Sequence, residues 1–198
     1  PLSVAEAIRQ TLSYKTYNEA DLFCDRAGWH SFMHHGSFSG NSAEECLLRI
    51  NERLGRAAAE LPQTDWLMIT WGTAWVYSFK ENGKVVGNCH NQPDKLFTRR
   101  LLSVEEIVVE YFDLLKMLQE LNPNLKVLFT VSPIRHAKDG MHGNQISKST
   151  LLLAIDTLQH HYPMCHYFPS YEIMMDELRD YRFYADDMFH PSPMAVSY

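Results

Sequence analysis

An α/β domain built on a mainly parallel sheet is the fold class that this sequence predicts, and three observations predict it. Apolar runs of strand length recur at residues 65–72 (DWLMITWG), 125–133 (LKVLFTVSP) and 165–170 (CHYFPS). Amphipathic stretches of helix length separate them, and parallel strands need crossovers of that length. The runs are apolar at most positions, which suits strands covered on both faces and hence a three-layer α/β/α arrangement. With 198 residues and 45% hydrophobic content, the chain suits a single domain spanning 1–198 with a substantial core.

Each element has its own local signal. A Ser followed three residues later by Glu is a capping box, in which the two side chains satisfy helix-start N–H groups reciprocally. The pairs Ser3/Glu6, Ser42/Glu45 and Ser103/Glu106 therefore predict three helix starts. The second opens a stripe of Cys46, Leu47, Ile50, Leu54 and Ala58, and the third opens one of Ile107, Tyr111, Leu114, Leu115 and Leu118. After the first strand run, residues 74–88 read as a hairpin turning at Asn82-Gly83. Residues 144–162 continue with a helical pattern between the second and third strands. The final PSPMAVSY (191–198) opens a short helix. The chain boundaries suggest a domain abbreviated at both ends, which predicts an exposed sheet edge or apolar patch and self-association.

Composition excludes several function classes. A net charge of -6 with scattered Lys and Arg offers no basic stripe for nucleic acid. No apolar run reaches the ~20 residues that span a bilayer, and no signal peptide is visible. Cys24, Cys46, Cys89 and Cys165 form no Cys-x-x-Cys pair and read as reduced, buried thiols, which leans towards a cytoplasmic location.

In open parallel sheets, ligands bind beyond the carboxyl ends of the strands. Three polar segments follow those ends, and the last holds Asp187 three residues before His190, with Pro191 next. That spacing can let a carboxylate orient an imidazole from one turn, leaving Nε2 free for general acid-base work. Chance alone provides about 0.6 such matches in a chain of this composition, and Asp139/His142 is indeed a second.

Resemblance separates the two. The segments ITWGTAWVY, VGNCHNQP, TVSPIRHAKDGMHGNQISKSTLLLAI, FPSYEIMMDELRDYRFYADDMFHPS and WHSFMHHGSFSG together resemble the GSCFA-domain family, a branch of the SGNH (GDSL-like) esterase superfamily. The resemblance implies a flavodoxin-like, SGNH-type fold and assigns the catalytic Asp-x-x-His block to Asp187 and His190. It also implies a nucleophilic Ser within a Gly-Ser-Cys-Phe-Ala segment, which residues 1–198 do not contain and which is expected upstream. The GSFSG stretch at 36–40 is no substitute, because a nucleophile elbow needs Ser at the central position and Phe38 stands there.

Gly72-Thr73-Ala74 lacks the amide of the superfamily's Gly-x-Asn-Asp block. Gly72 and Asn88 are therefore candidate oxyanion donors, and His90, Arg135 and His136 are candidate substrate contacts. The expected function is ester hydrolysis or acyl transfer on a small-molecule or carbohydrate O-acyl ester, without a cofactor. The rival is a ligand-binding relative that lacks turnover. His30, His34 and His35 raise a metal alternative, but they lack the Glu of a His-Glu-x-x-His site.

Overall fold

The computed structural model describes residues 1–198. Helix α1 (Leu2–Ser13) is followed by a small antiparallel pair, β1 (Phe23–Asp25) and β2 (Gly28–His30). Next come α2 (Ala43–Glu60), β3 (Trp66–Trp71), β4 (Trp75–Phe79), β5 (Val85–Val86) and β6 (Phe97–Leu101). The chain continues with α3 (Val104–Leu121), β7 (Lys126–Val131), α4 (Gly140–His161) and β8 (Cys165–Phe168). A short α5 (Ser170–Glu172), a π-helical turn and α6 (Pro193–Ser197) complete it.

The local signals fare unequally. At α3, Ser103 and Glu106 form the complete capping box. At α2, Ser42 accepts from Glu45 N–H, but the Glu45 carboxylate turns to Asn41 N–H, so only half the box forms. Ser3 lies inside α1, which begins one residue earlier. The hairpin is as expected: Gly83 takes a φ of 72° in the turn, where glycine is favoured. Strand β6 was not anticipated, because Arg99 and Arg100 hide its alternation; it pairs antiparallel with β4. Cys24 is exposed rather than buried.

The parallel sheet has three strands in the order β3-β7-β8. Ile69, Trp71, Val127, Phe129, Val131 and Cys165 point to one face. There they join Ile107, Tyr111, Leu114, Leu118, Leu151 and Ile155 of α3 and α4 in one core. The Trp71 indole donates to the Tyr111 hydroxyl at 3.0 Å, satisfying a polar atom that burial would otherwise strand.

The other sheet face departs from expectation. Trp66, Met68 and Phe168 are 43%, 72% and 48% exposed, so the apolar run of β3 alternates between core and solvent. The strands were expected to be covered on both faces because Trp66 and Met68 are apolar. The structure covers one face and leaves these two side chains out.

Candidate active site

The segment from Tyr184 to Pro191 closes into a loop by backbone pairing. Tyr184 bridges Pro191, Ala185 N–H donates to His190 C=O at 2.8 Å, and Met188 N–H donates to Ala185 C=O at 2.9 Å. Met188 adopts a φ of 63°, a left-handed conformation that costs a non-glycine residue on the order of 1 kcal/mol. That local strain turns the chain so that Asp187 and His190 face each other.

Asp187 Oδ1 accepts from the N–H groups of Phe189 and His190 at 2.8 and 3.0 Å, and its Oδ2 lies 2.5 Å from His190 Nδ1. A carboxylate can only accept, so Nδ1 carries a proton, and in the neutral imidazole Nε2 is the nitrogen with the lone pair. The His190 and Phe189 N–H groups, then the His190 ring, hold the Asp187 carboxyl down at about 2. The rival Asp139 makes no such pair with His142. It is the N-cap residue of α4, with its side chain on Arg99.

His190 lines a cavity of about 590 Å³ whose wall includes Thr70–Thr73 at the end of β3, Ile134–Asp139 beyond β7, and Trp75, Tyr77 and Arg99 of the β5-β4-β6 sheet. The cavity therefore lies where the carboxyl ends of the parallel strands direct a ligand.

Arg135 is tied to the dyad's loop. Its N–H donates to Phe189 C=O at 3.2 Å, and its guanidinium donates to Met188 C=O at 3.3 Å and to Tyr184 Oη at 2.6 Å. It also stacks over the Tyr184 ring at 4.1 Å. His136 places Nε2 3.2 Å from Gly72 C=O, and burial, with Lys148 nearby, lowers its pKa. The Gly72 and Thr73 N–H groups donate to no carbonyl.

Asn88 and His90 sit elsewhere. The Asn88 amide donates to His34 C=O and accepts from His90 N–H, while His90 Nε2 lies against Ser31 and His34 C=O. Neither lines the cavity.

Sequence reasoning missed Lys148, which is 0% exposed. Its Nζ donates to Gly72 C=O at 2.6 Å and Ser132 C=O at 2.5 Å, joining the ends of β3 and β7. Burial lowers its pKa to about 8. A signal existed: Lys148 shares the buried stripe of Leu151 and Ile155, where a cation is conspicuous. Ser147 adds a second tie, accepting from Ala74 N–H at 2.8 Å.

The histidines of the metal alternative do other work. His30 ends β2, which rules out a shared helical face, with Nδ1 2.7 Å from Ser39 Oγ and Nε2 3.0 Å from Asp25 Oδ1. This Ser-His-Asp chain is 7% exposed at His30, and none of its three residues lines the cavity that His190 faces. His34 pairs with Ser31 Oγ and His35 with Ser37 Oγ.

Fold and site together define a class, an α/β protein that presents a carboxylate-oriented imidazole at a cavity beyond the ends of its parallel strands. More particularly, the chain belongs to the GSCFA family, whose family model matches residues 1–198. No curated protein and no solved structure was found to match it.

Proposed function

We propose that this protein is an ester hydrolase or acyl-transfer enzyme of SGNH type, with His190 as general base and acid and Asp187 as its orienting partner. The observation that carries this reading is the 2.5 Å contact between His190 Nδ1 and Asp187 Oδ2 at the rim of the cavity. A serine hydroxyl loses its proton to Nε2 as it attacks the ester carbonyl; Nε2 then returns the proton to the leaving alcohol. Asp187 holds the tautomer and favours the imidazolium that forms between the two steps. Gly72 N–H is the candidate oxyanion donor, held in place by Lys148 and His136 on its carbonyl. Acylated carbohydrates are among the substrates this reading admits.

The proposed nucleophile is the Ser of the Gly-Ser-Cys-Phe-Ala segment. The 198-residue chain and a form carrying that segment upstream are to be compared on 4-nitrophenyl acetate. Turnover confined to the extended form, and reduced at least about 10³-fold by His190→Ala, is the expected result. Inactivity of both forms would instead favour a second reading, a ligand-binding relative without turnover. The specific observation behind that reading is that no hydroxyl is hydrogen-bonded to His190 Nε2.

A further inference from the structure

Four cations surround the cavity, and only one has a carboxylate partner. Arg99, Arg135 and Lys138 line it, and Lys148 lies beneath Gly72. Arg99 pairs with Asp139, the single acidic residue of the lining. Arg135 spends its guanidinium on a carbonyl and a phenol. Lys138 reaches the Tyr77 hydroxyl at 3.2 Å, with Asp94 as the acidic group in its surroundings. Lys148 has two carbonyls. Asp187 is committed to His190.

A chain of net charge -6 thus turns a positive interior towards its ligand. Lys148 is fully buried and Arg99 partly so, whereas Lys138 is open to solvent; a concave wall concentrates the field of all of them on whatever enters. The placement is directional as well. Arg99 lies 3.9 Å over the Trp75 ring and 5.6 Å from Tyr77, while Lys138 flanks Tyr77 from the loop after β7. Two cationic heads therefore border one aromatic on the β4-β6 wall of the cavity that His190 also lines.

We infer that the cavity takes a ligand with an anionic oxygen group, a carboxylate or a phosphate, bound by Lys138 and Arg99 beside Tyr77. Placement of its ester at His190 rests on the esterase reading above; binding of the anion does not. An anion there receives charge-assisted hydrogen bonds from both heads, and Asp139 keeps the Arg99 fork in place. A neutral ester of the same size makes no such charge-assisted contacts.

The test combines binding with turnover. Calorimetric titration of the 198-residue chain with inorganic phosphate, and separately with succinate, should show binding that weakens with added salt. The exposed Lys138→Glu variant should weaken it by about 10-fold or more. The double variant Arg99→Gln/Asp139→Asn, which removes both members of the buried pair together, should weaken it similarly. The better of phosphate and succinate identifies the anion. In the extended form, the succinic acid monoester of 4-nitrophenol should exceed 4-nitrophenyl acetate in kcat/KM, with the advantage lost in Lys138→Glu. Absence of binding by both anions, or binding indifferent to salt and to Lys138→Glu, overturns the inference. Anion binding with neither ester turned over upholds it and counts against the esterase reading instead. Equal turnover of both esters without anion binding does the reverse.

Discussion

Asp187 owes its low pKa to three donors converging on one carboxylate, two of them backbone N–H groups. The folded value, about 2, lies below the ordinary 3.8, so the ionised form favours the folded state. That contribution is complete above about pH 4 and is lost as the pH falls towards 2. Asp187→Asn should therefore lower the unfolding midpoint near neutral pH, and the difference from the parent should shrink as the pH falls below about 4 and vanish only below about pH 2. Lys148 has the opposite sense. Its folded value of about 8 lies below the ordinary 10.5, so burying its charge opposes folding below pH 8. That cost disappears as the pH rises through this interval, and stability measured against Lys148→Met should improve between pH 8 and 10.5. The two residues were unequally legible. Asp187 and His190 are three positions apart, so spacing and resemblance together could find them. Lys148 acts on Gly72, 76 positions away, and no local pattern encodes that distance.

The loop from Tyr184 to Pro191 depends on the segment that follows β7 as much as on its own turn. Arg135 holds Met188 C=O and Tyr184 Oη with one planar fork, which Lys cannot reproduce. Arg135→Lys should lower kcat about 10-fold in the active form while leaving the unfolding midpoint almost unchanged. A changed His190 imidazole signal in NMR would show that the loop, rather than substrate affinity, had moved. Among the elements, those with purely local causes were readable: α3 by its capping box and the 79–84 turn by Asn82-Gly83. The start of α4 was not. Residues 139–142 look like a glycine-rich loop, yet Asp139, its side chain held by Arg99 of β6, immediately precedes a helix that already includes Gly140 and Gly143. Tertiary contact decided what propensity left open.

Over the whole molecule, the parallel sheet keeps one apolar face in contact with solvent. Met68 and Leu128 are register partners on that face, with His166 beyond them, and Trp66 and Phe168 extend it. Exposed apolar groups this close together commonly mark an interaction surface. The parent should bind a fluorescent apolar dye and sediment as a concentration-dependent oligomer. Met68→Lys should abolish both, and a monomer at all concentrations in the parent would sink the expectation. The sequence concealed this one-sidedness because Trp66 and Met68 are as apolar as the residues they alternate with. The β5-β4-β6 sheet, which supplies the aromatic and Arg99 wall, lies entirely between the end of β3 and the start of α3, whereas the dyad comes from the far end of the chain. Most of that wall and the Asp187–His190 pair therefore lie in separate stretches of chain, so grafting a different segment over 75–101, together with a change at Lys138, offers a route to reshape the cavity without altering the Asp187–His190 pair.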